Sequence, residues 1–254
     1  MPEPSSAPSH PRTILEIAGL SKSFGSVRAA DSVLLAVRSG EAIGIIGPNG
    51  AGKSSLFNLI TGDLKPDAGH IRLNGVDITK KTPHERCWAG IARSYQIPHP
   101  FENLSVFENL LVGAVYGQNR RENEAADHCA EILSRTRLLH RANARAGSLT
   151  LLERKRLELA RALATDPQLL LLDEIAGGLT EGECQELIDT IRTINAGGTT
   201  IIWIEHVVHA LLAVVRRLVV LNFGRKIAEG DPQTVMHSQE VREIYTGIEA
   251  REVA

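Results

Sequence analysis

The first chemical signal is a contiguous one. Gly47-Pro48-Asn49-Gly50-Ala51-Gly52-Lys53-Ser54 satisfies G-x-x-x-x-G-K-[ST] and follows the apolar run at residues 42–46. Glycines at this spacing let a backbone wind closely round a triphosphate, so that successive amide hydrogens and the positive end of a following helix converge on its oxygens. Lys53 is placed to reach the β- and γ-phosphates and Ser54 to ligate Mg²⁺. Gly47, Asn49, Gly50, Ala51, Gly52 and Ser55 complete the candidate nucleotide contacts.

By itself such a loop leaves open a phosphoryl-transferring kinase, a GTPase, a helicase and a transporter ATPase, because all of them cradle polyphosphate in the same way. A second signal narrows the chemistry. Four leucines at residues 169–172 form a strand short enough to be buried on both faces, and it ends in Asp173-Glu174. Ligands of open α/β sheets gather at that carboxyl edge, and two adjacent acids there cost desolvation unless they are used. Asp173 would hold Mg²⁺, commonly through water. Glu174 would orient and deprotonate an attacking water, a role worth roughly 10²- to 10⁴-fold in rate. A further apolar run at residues 200–204 delivers Glu205 and His206 at its end. Taken alone His206 is an ordinary imidazole, but its place after a neighbouring strand suggests a contact with the γ-phosphate.

The elements that must position these groups follow from periodicity. Residues 14–17, 32–37 and 42–46 read as strands between turn signals. After Lys53, the spacing of Leu56, Leu59 and Ile60 is helical and stops at Gly62. Residues 69–73 read as a strand entering a hairpin at Asn74-Gly75. Residues 98–147 change character, with Arg and Glu crowding 120–124 and helix formers over 125–139, and predict a helical subdomain. Helices over 154–164 and 185–194 then alternate with the buried strands at 169–172 and 200–204, which argues an α/β fold with a parallel sheet.

Composition excludes other classes. The chain has 254 residues, 43% hydrophobic and 23% charged, with a formal net charge of -2, so no excess of positive charge exists for holding a nucleic acid backbone or an anionic membrane. Cys87, Cys129 and Cys184 are odd in number and widely spaced, unlike a zinc site or a disulfide framework, and fit a reducing cytoplasm. No apolar run approaches the roughly 20 residues that cross a bilayer. Residues 1–12, with four prolines and three serines, predict a disordered tail and not a secretory signal.

Taken together, the phosphate loop, Gln96, the segment at 149–164, Asp173-Glu174 and His206 stand in the order and spacing of an ABC transporter ATP-binding subunit. The resemblance covers nearly the whole chain from Thr13 onward. The segments at 57–62, 91–96, 107–111 and 220–224 look like the branched-chain amino acid importer family, LivG type. It implies a P-loop ATPase core with a mixed or parallel sheet, an antiparallel β subdomain and a helical subdomain. A single nucleotide-binding domain would span residues 13–254.

Further roles come from the resemblance alone. Phe24 matches the aromatic residue that stacks on adenine, and Gln96 the glutamine that reaches Mg²⁺ and the attacking water; residues 98–111 would be the surface that feels the membrane subunits. The implied cofactors are ATP and Mg²⁺. The implied partners are a second ATPase subunit, two transmembrane permease subunits and, indirectly, an extracytoplasmic solute-binding protein, with the chain peripheral on the cytoplasmic face of the membrane. A soluble ABC-type ATPase without a permease and a weakly hydrolysing nucleotide-binding partner remain as alternatives.

The family's Leu-Ser-Gly-Gly-Gln signature aligns with Leu149-Thr150-Leu151-Leu152-Glu153. Thr150 keeps a hydroxyl that can donate to a γ-phosphate, but leucines replace both glycines that permit close backbone approach. Pairing with a different ATPase subunit would then give two unequal sites, one weakened because Leu151 and Leu152 face its nucleotide. Ile175 stands where proline is usual, and Thr180 where many relatives have aspartate. Residues 154–156, flanked by Glu153 and Glu158, read as a solvated helix face.

Overall fold

The computed structural model describes residues 12–118 and 122–243; the side chains of 118, 122 and 123 are outside that description. Residues 1–11 of the expected tail, and residues 120 and 121 of the Arg/Glu-rich segment, therefore lie outside the described residues. Arg12 is described, and its carbonyl accepts from the amide of Ser39 at 2.8 Å.

In chain order the elements are β1 (Thr13–Phe24), β2 (Val27–Arg38), β3 (Ala42–Ile46), α1 (Lys53–Thr61), β4 (Ala68–Leu73), β5 (Val76–Asp77), α2 (Pro83–Trp88) and β6 (Ile91–Ser94). The helical region α3 (Val106–Gln118) and α4 (Glu122–Arg135) follows. The chain then continues through α5 (Leu151–Leu163), β7 (Leu169–Asp173), α6 (Glu181–Ala196), β8 (Thr200–Ile204), α7 (Val208–Leu212), β9 (Arg217–Asn222), β10 (Arg225–Gly230) and α8 (Pro232–His237).

Six strands form one sheet in the order β10-β9-β3-β8-β7-β6, parallel except for the antiparallel edge pair β9–β10. A second, antiparallel sheet has the order β2-β1-β4-β5. Both expected sheet types are present. The expected strands at 14–17 and 32–37 are each only part of a longer one, because β-bulges let β1 and β2 continue as a twisted ribbon past the apolar stretch.

Both faces of the six-stranded sheet are covered, and the period-2 alternation of its strands divides the core. Leu170, Leu172, Ile201 and Trp203 face α5, α6 and the helical region, whereas Leu169, Leu171, Ile202 and Ile204 face α1 and the antiparallel sheet. This two-sided burial is the reason β7 and β8 read as unbroken apolar runs. Asp173 shares the parity of Leu169 and Leu171, so it emerges on the α1 side, where the phosphate loop begins.

Side-chain caps set where α5 and α6 begin. Thr150 caps α5 and Thr180 caps α6, each in a reciprocal box with the glutamate three residues on, Glu153 and Glu183. Both helices accordingly start earlier than their apolar periodicity suggests. The C-terminal end of α1 is closed by a buried arginine: Arg86 donates to the carbonyls of Leu59 (2.6 Å), Ile60, Lys81 and Thr79.

Two expectations about α5 are corrected. Residues 154–156 are not a solvated face: Lys155 and Arg156 are buried, and Arg156 pairs with Glu186 of α6 at 2.7 Å. The helix runs between β6, the helical region and α6, so most of its circumference meets protein. Likewise Leu151 and Leu152 do not share an outlook. Successive residues on a helix lie about 100° apart, and Leu152 is 7% exposed in the core while Leu151 is 43% exposed.

Candidate functional site

The phosphate loop leaves β3 and enters α1 at Lys53. Its glycines are required by close approaches of backbone to backbone. At Gly47 (φ 154°) a Cβ would meet the carbonyl oxygen of Leu221 at 2.1 Å, and at Gly52 (φ 100°) that of Ala29 at 2.2 Å. The loop is thus wedged between β9 and β2. Lys53 Nζ donates to the carbonyls of Gly47 (2.7 Å) and Pro48 (3.1 Å), folding back over the loop. Burial pushes its ammonium below the ordinary lysine range, with Glu174 and Asp173 opposing the shift. A partly desolvated cation held by neutral carbonyls beside glycine-bounded amides is a donor set that fits a polyanion.

Strand β7 delivers the two acids. Asp173 is buried and pairs with Arg93 Nη2 at 2.5 Å. Glu174 turns out of the strand with φ 48°, a left-handed conformation costing about 1 kcal/mol or more for a residue with a side chain. Its amide donates to the carbonyl of Ile204 at 2.8 Å, which anchors the turn to β8. Gln96, two residues past β6, donates through Nε2 to Glu174 Oε2 at 2.5 Å; His206, two residues past β8, meets Oε1 through Nε2 at 2.7 Å. The sheet therefore brings Glu174, Gln96 and His206 together. The contact seen for His206 is with this carboxylate.

Ser54, Gln96 and Asp173 offer a hydroxyl, an amide and a carboxylate, the hard oxygen donors that suit Mg²⁺ shared with phosphate oxygens. Among the described residues no group of three or more His, Cys, Asp or Glu could hold a metal by itself. The residues present fit a cation held jointly with a nucleotide.

Phe24 ends β1, 49% exposed, with the Lys22 ammonium 5.6 Å from its ring centre. A ring half open to solvent leaves surface on which a base can stack. Thr150 is differently occupied: its hydroxyl accepts from the amide of Glu153 at 3.3 Å as the α5 cap. Beside it, Leu151 lies against the Gly178 backbone, where an added Cβ would be 3.4 Å from Leu151 Cδ2.

Three groups have roles that the sequence did not reveal. Arg93 is a charge inside a short, mostly buried strand, which was the available signal. Glu205 does not project from the end of β8 as a site acid; it turns inward and accepts from the amides of Ala176 (2.7 Å) and His206 (2.9 Å), so that it ties the turn after Glu174 to the turn carrying the histidine. Burial raises its carboxyl above the ordinary range, with those amide bonds opposing. Glu158 and Arg161 of α5 form a partly buried pair at 3.0 Å; Arg161 donates to the carbonyl of His99 and lies over the Phe101 ring at 5.1 Å.

That pair floors a groove of about 480 Å³ between the sheet core and the helical region, with Tyr95, Phe101 and Tyr116 exposed at it. Only the first part of the expected 98–111 surface contributes, since Val106, Asn109 and Leu110 are buried where α3 packs down. Among the described residues no helix is long and apolar enough to cross a membrane.

The chain is similar to known proteins over most of its length. The family described as ABC transporter matches residues 30–177. The probable branched-chain amino acid transport ATP-binding protein LivG of Methanocaldococcus jannaschii is 35% identical over 250 residues, 92% of this chain and 97% of that protein. The high-affinity branched-chain amino acid transport ATP-binding protein BraF of Pseudomonas aeruginosa is 34% identical over 251 residues, covering 93% and 98%. Among solved structures, an ATP-binding cassette of an ABC transporter in its ADP conformation superposes with a TM-score of 0.85 at 34% identity, covering 92% of this chain and 99% of that one.

Proposed function

The chain belongs to the ABC transporter family as an ATP-binding subunit, and from that premise we propose that it powers uptake of branched-chain or related amino acids through separate permease subunits. Glu174 carries the reading: it follows β7, within electrostatic reach of Lys53 of the phosphate loop, with one oxygen held from each neighbouring strand end. Glu174 takes a proton from water as the water oxygen bonds to the γ-phosphorus and the bond to the β,γ-bridging oxygen breaks, the electrons leaving with ADP. Gln96 and His206 keep the carboxylate oriented. Lys53 exchanges its two loop carbonyls for phosphate oxygens, and Phe24 stacks on adenine. Ser54, Gln96 and Asp173 would hold Mg²⁺, which when bound neutralises charge on the β- and γ-oxygens.

Hydrolysis is coupled to movement through a second ATPase subunit and two permeases. The groove at Phe101 and Tyr116 suits a cytoplasmic helix of a permease, and Arg161 ties the chain segment after Gln96 to α5. The chain then sits peripherally on the cytoplasmic face of the membrane, with a solute-binding protein acting only through the permeases. The exposed Leu151 side chain supports pairing with a different ATPase subunit, since it puts an apolar bulk where a glycine backbone would admit phosphate.

Reconstitution with the permeases and binding protein in vesicles tests the reading. ATPase activity should rise with leucine, isoleucine or valine present, and Glu174→Gln should abolish turnover while ATP still binds. Undiminished hydrolysis by Glu174→Gln, or stimulation by unrelated solutes only, would refute it.

A further inference from the structure

Arg93 is the one charge on the α1 side of β6, and four neighbours define its position. Nη2 meets Asp173 Oδ2 at 2.5 Å and Nη1 donates to Asn58 Oδ1 of α1 at 2.6 Å. The guanidinium carbon lies 5.5 Å from the centre of the Phe57 ring and 5.0 Å from that of Tyr95. Both partners of the ion pair are 8% exposed at the side chain. Parallel pairing of β6 with β7 sets Arg93 opposite Leu171, two residues before Asp173 on the same face, so the reach to the carboxylate follows from the sheet register.

An ion pair this enclosed is costly to assemble, and stability alone is a weak account of it. Its geometry has a more specific consequence. The guanidinium is anchored to Asn58 of α1 and lies close to two rings, one of them Phe57 of the same helix, so it holds one oxygen of Asp173 and with it the carboxylate's orientation. The other oxygen is left for a cation. Tyr95 and Gln96 continue the same strand end, and Gln96 touches Glu174.

We propose that Arg93 is a positioning residue for the divalent cation, acting by holding Asp173 in the orientation that ligates it. This rests on the reading of Asp173 as the cation-holding acid. Partners of this kind, one step removed from a metal, typically matter by 10- to 100-fold in metal affinity.

The test is ADP binding by the full chain, measured by calorimetry across a Mg²⁺ titration and again in EDTA, so that no turnover is needed. Arg93→Gln should raise the Mg²⁺ concentration giving half of the Mg²⁺-dependent gain in affinity by about 10- to 100-fold and leave the affinity in EDTA at its wild-type value. Arg93→Lys keeps the charge but lacks the planar fork that meets Asp173 and Asn58 through separate nitrogens, and should fall between the two. In an Asp173→Asn background, Arg93→Gln should add nothing, as expected for two residues acting through one contact.

A wild-type Mg²⁺ requirement in both Arg93 variants would overturn the proposal. So would a lowered requirement, which would make the guanidinium a competitor of the cation, or an equal loss of affinity in EDTA and in Mg²⁺, which would make its role purely structural. Should Arg93→Gln not fold, Arg93→Lys decides by the same readings. Failure of the wild-type chain to bind ADP at all would instead strike the nucleotide-site reading.

Discussion

Gln96 Nε2 donates to Glu174 Oε2 at 2.5 Å, and the residue that makes this contact is 78 positions away in sequence. On the other side His206 meets Oε1 at 2.7 Å. Because β7 lies between β6 and β8, the carboxylate receives one holder from each neighbouring strand end. Its aim is therefore set by the sheet, and a general base is only as effective as its aim.

Removing either holder should lower turnover and spare binding. Gln96→Ala and His206→Ala are each expected to reduce kcat by about 10²-fold, with ADP affinity in EDTA unchanged. Steady-state kinetics beside ADP titration checks this; a fall in affinity as large as the fall in kcat would show that these residues serve binding instead.

Phe24 should contribute to nucleotide affinity through its ring. Replacing it with alanine removes stacking worth about 1 to 3 kcal/mol, or roughly 5- to 150-fold in Kd, whereas Phe24→Tyr should keep it. Titration with ATP in EDTA reads the difference without hydrolysis. Equal affinities for wild type and Phe24→Ala would remove the adenine assignment.

The two leucines of the signature segment should behave oppositely. Leu152→Ala opens a cavity in the core and should cost about 2 to 5 kcal/mol, while Leu151→Ala, at an exposed position, should stay within about 0.5 kcal/mol. Denaturant unfolding of the purified chain measures both. If Leu151 proved as costly as Leu152, its exposure in the isolated chain would be misassigned.

Lys155 should make stability depend on alkaline pH. Burial depresses its ammonium below the ordinary value of 10.5, with Glu205 and Glu174 opposing. The charged form is thus disfavoured in the folded chain, a cost present at neutral pH. As pH rises from the depressed value to 10.5 the native state sheds its proton before the unfolded one, so wild-type stability recovers across that window. Lys155→Met should therefore be the more stable protein at pH 7, with its advantage shrinking in the alkaline range. Denaturant unfolding at both pH values would count against this if the gap stayed constant or had the opposite sign.

What the sequence alone determined is whatever depends on contiguous residues. The phosphate loop, the acids at the end of β7 and the alternation of buried strands with helices could be read directly, because a strand–loop–helix motif fixes its own geometry within a few residues. So could the separate positions of His206, read from its place after a buried strand, and of Gln96, whose role the family resemblance supplied.

Only the tertiary structure decided which of these groups touch. Whether β6 and β8 flank β7 is a matter of sheet order, and strand pairing carries Arg93 to Asp173 across 80 residues and His206 to Glu174 across 32. Burial was decided there too. Lys155 and Arg156 look solvated beside acids in the sequence, and Leu151 and Leu152 look equivalent. Helix rotation and the elements packed around α5 separate them, and the hydrophobic pattern of a single segment does not specify what packs against its far side.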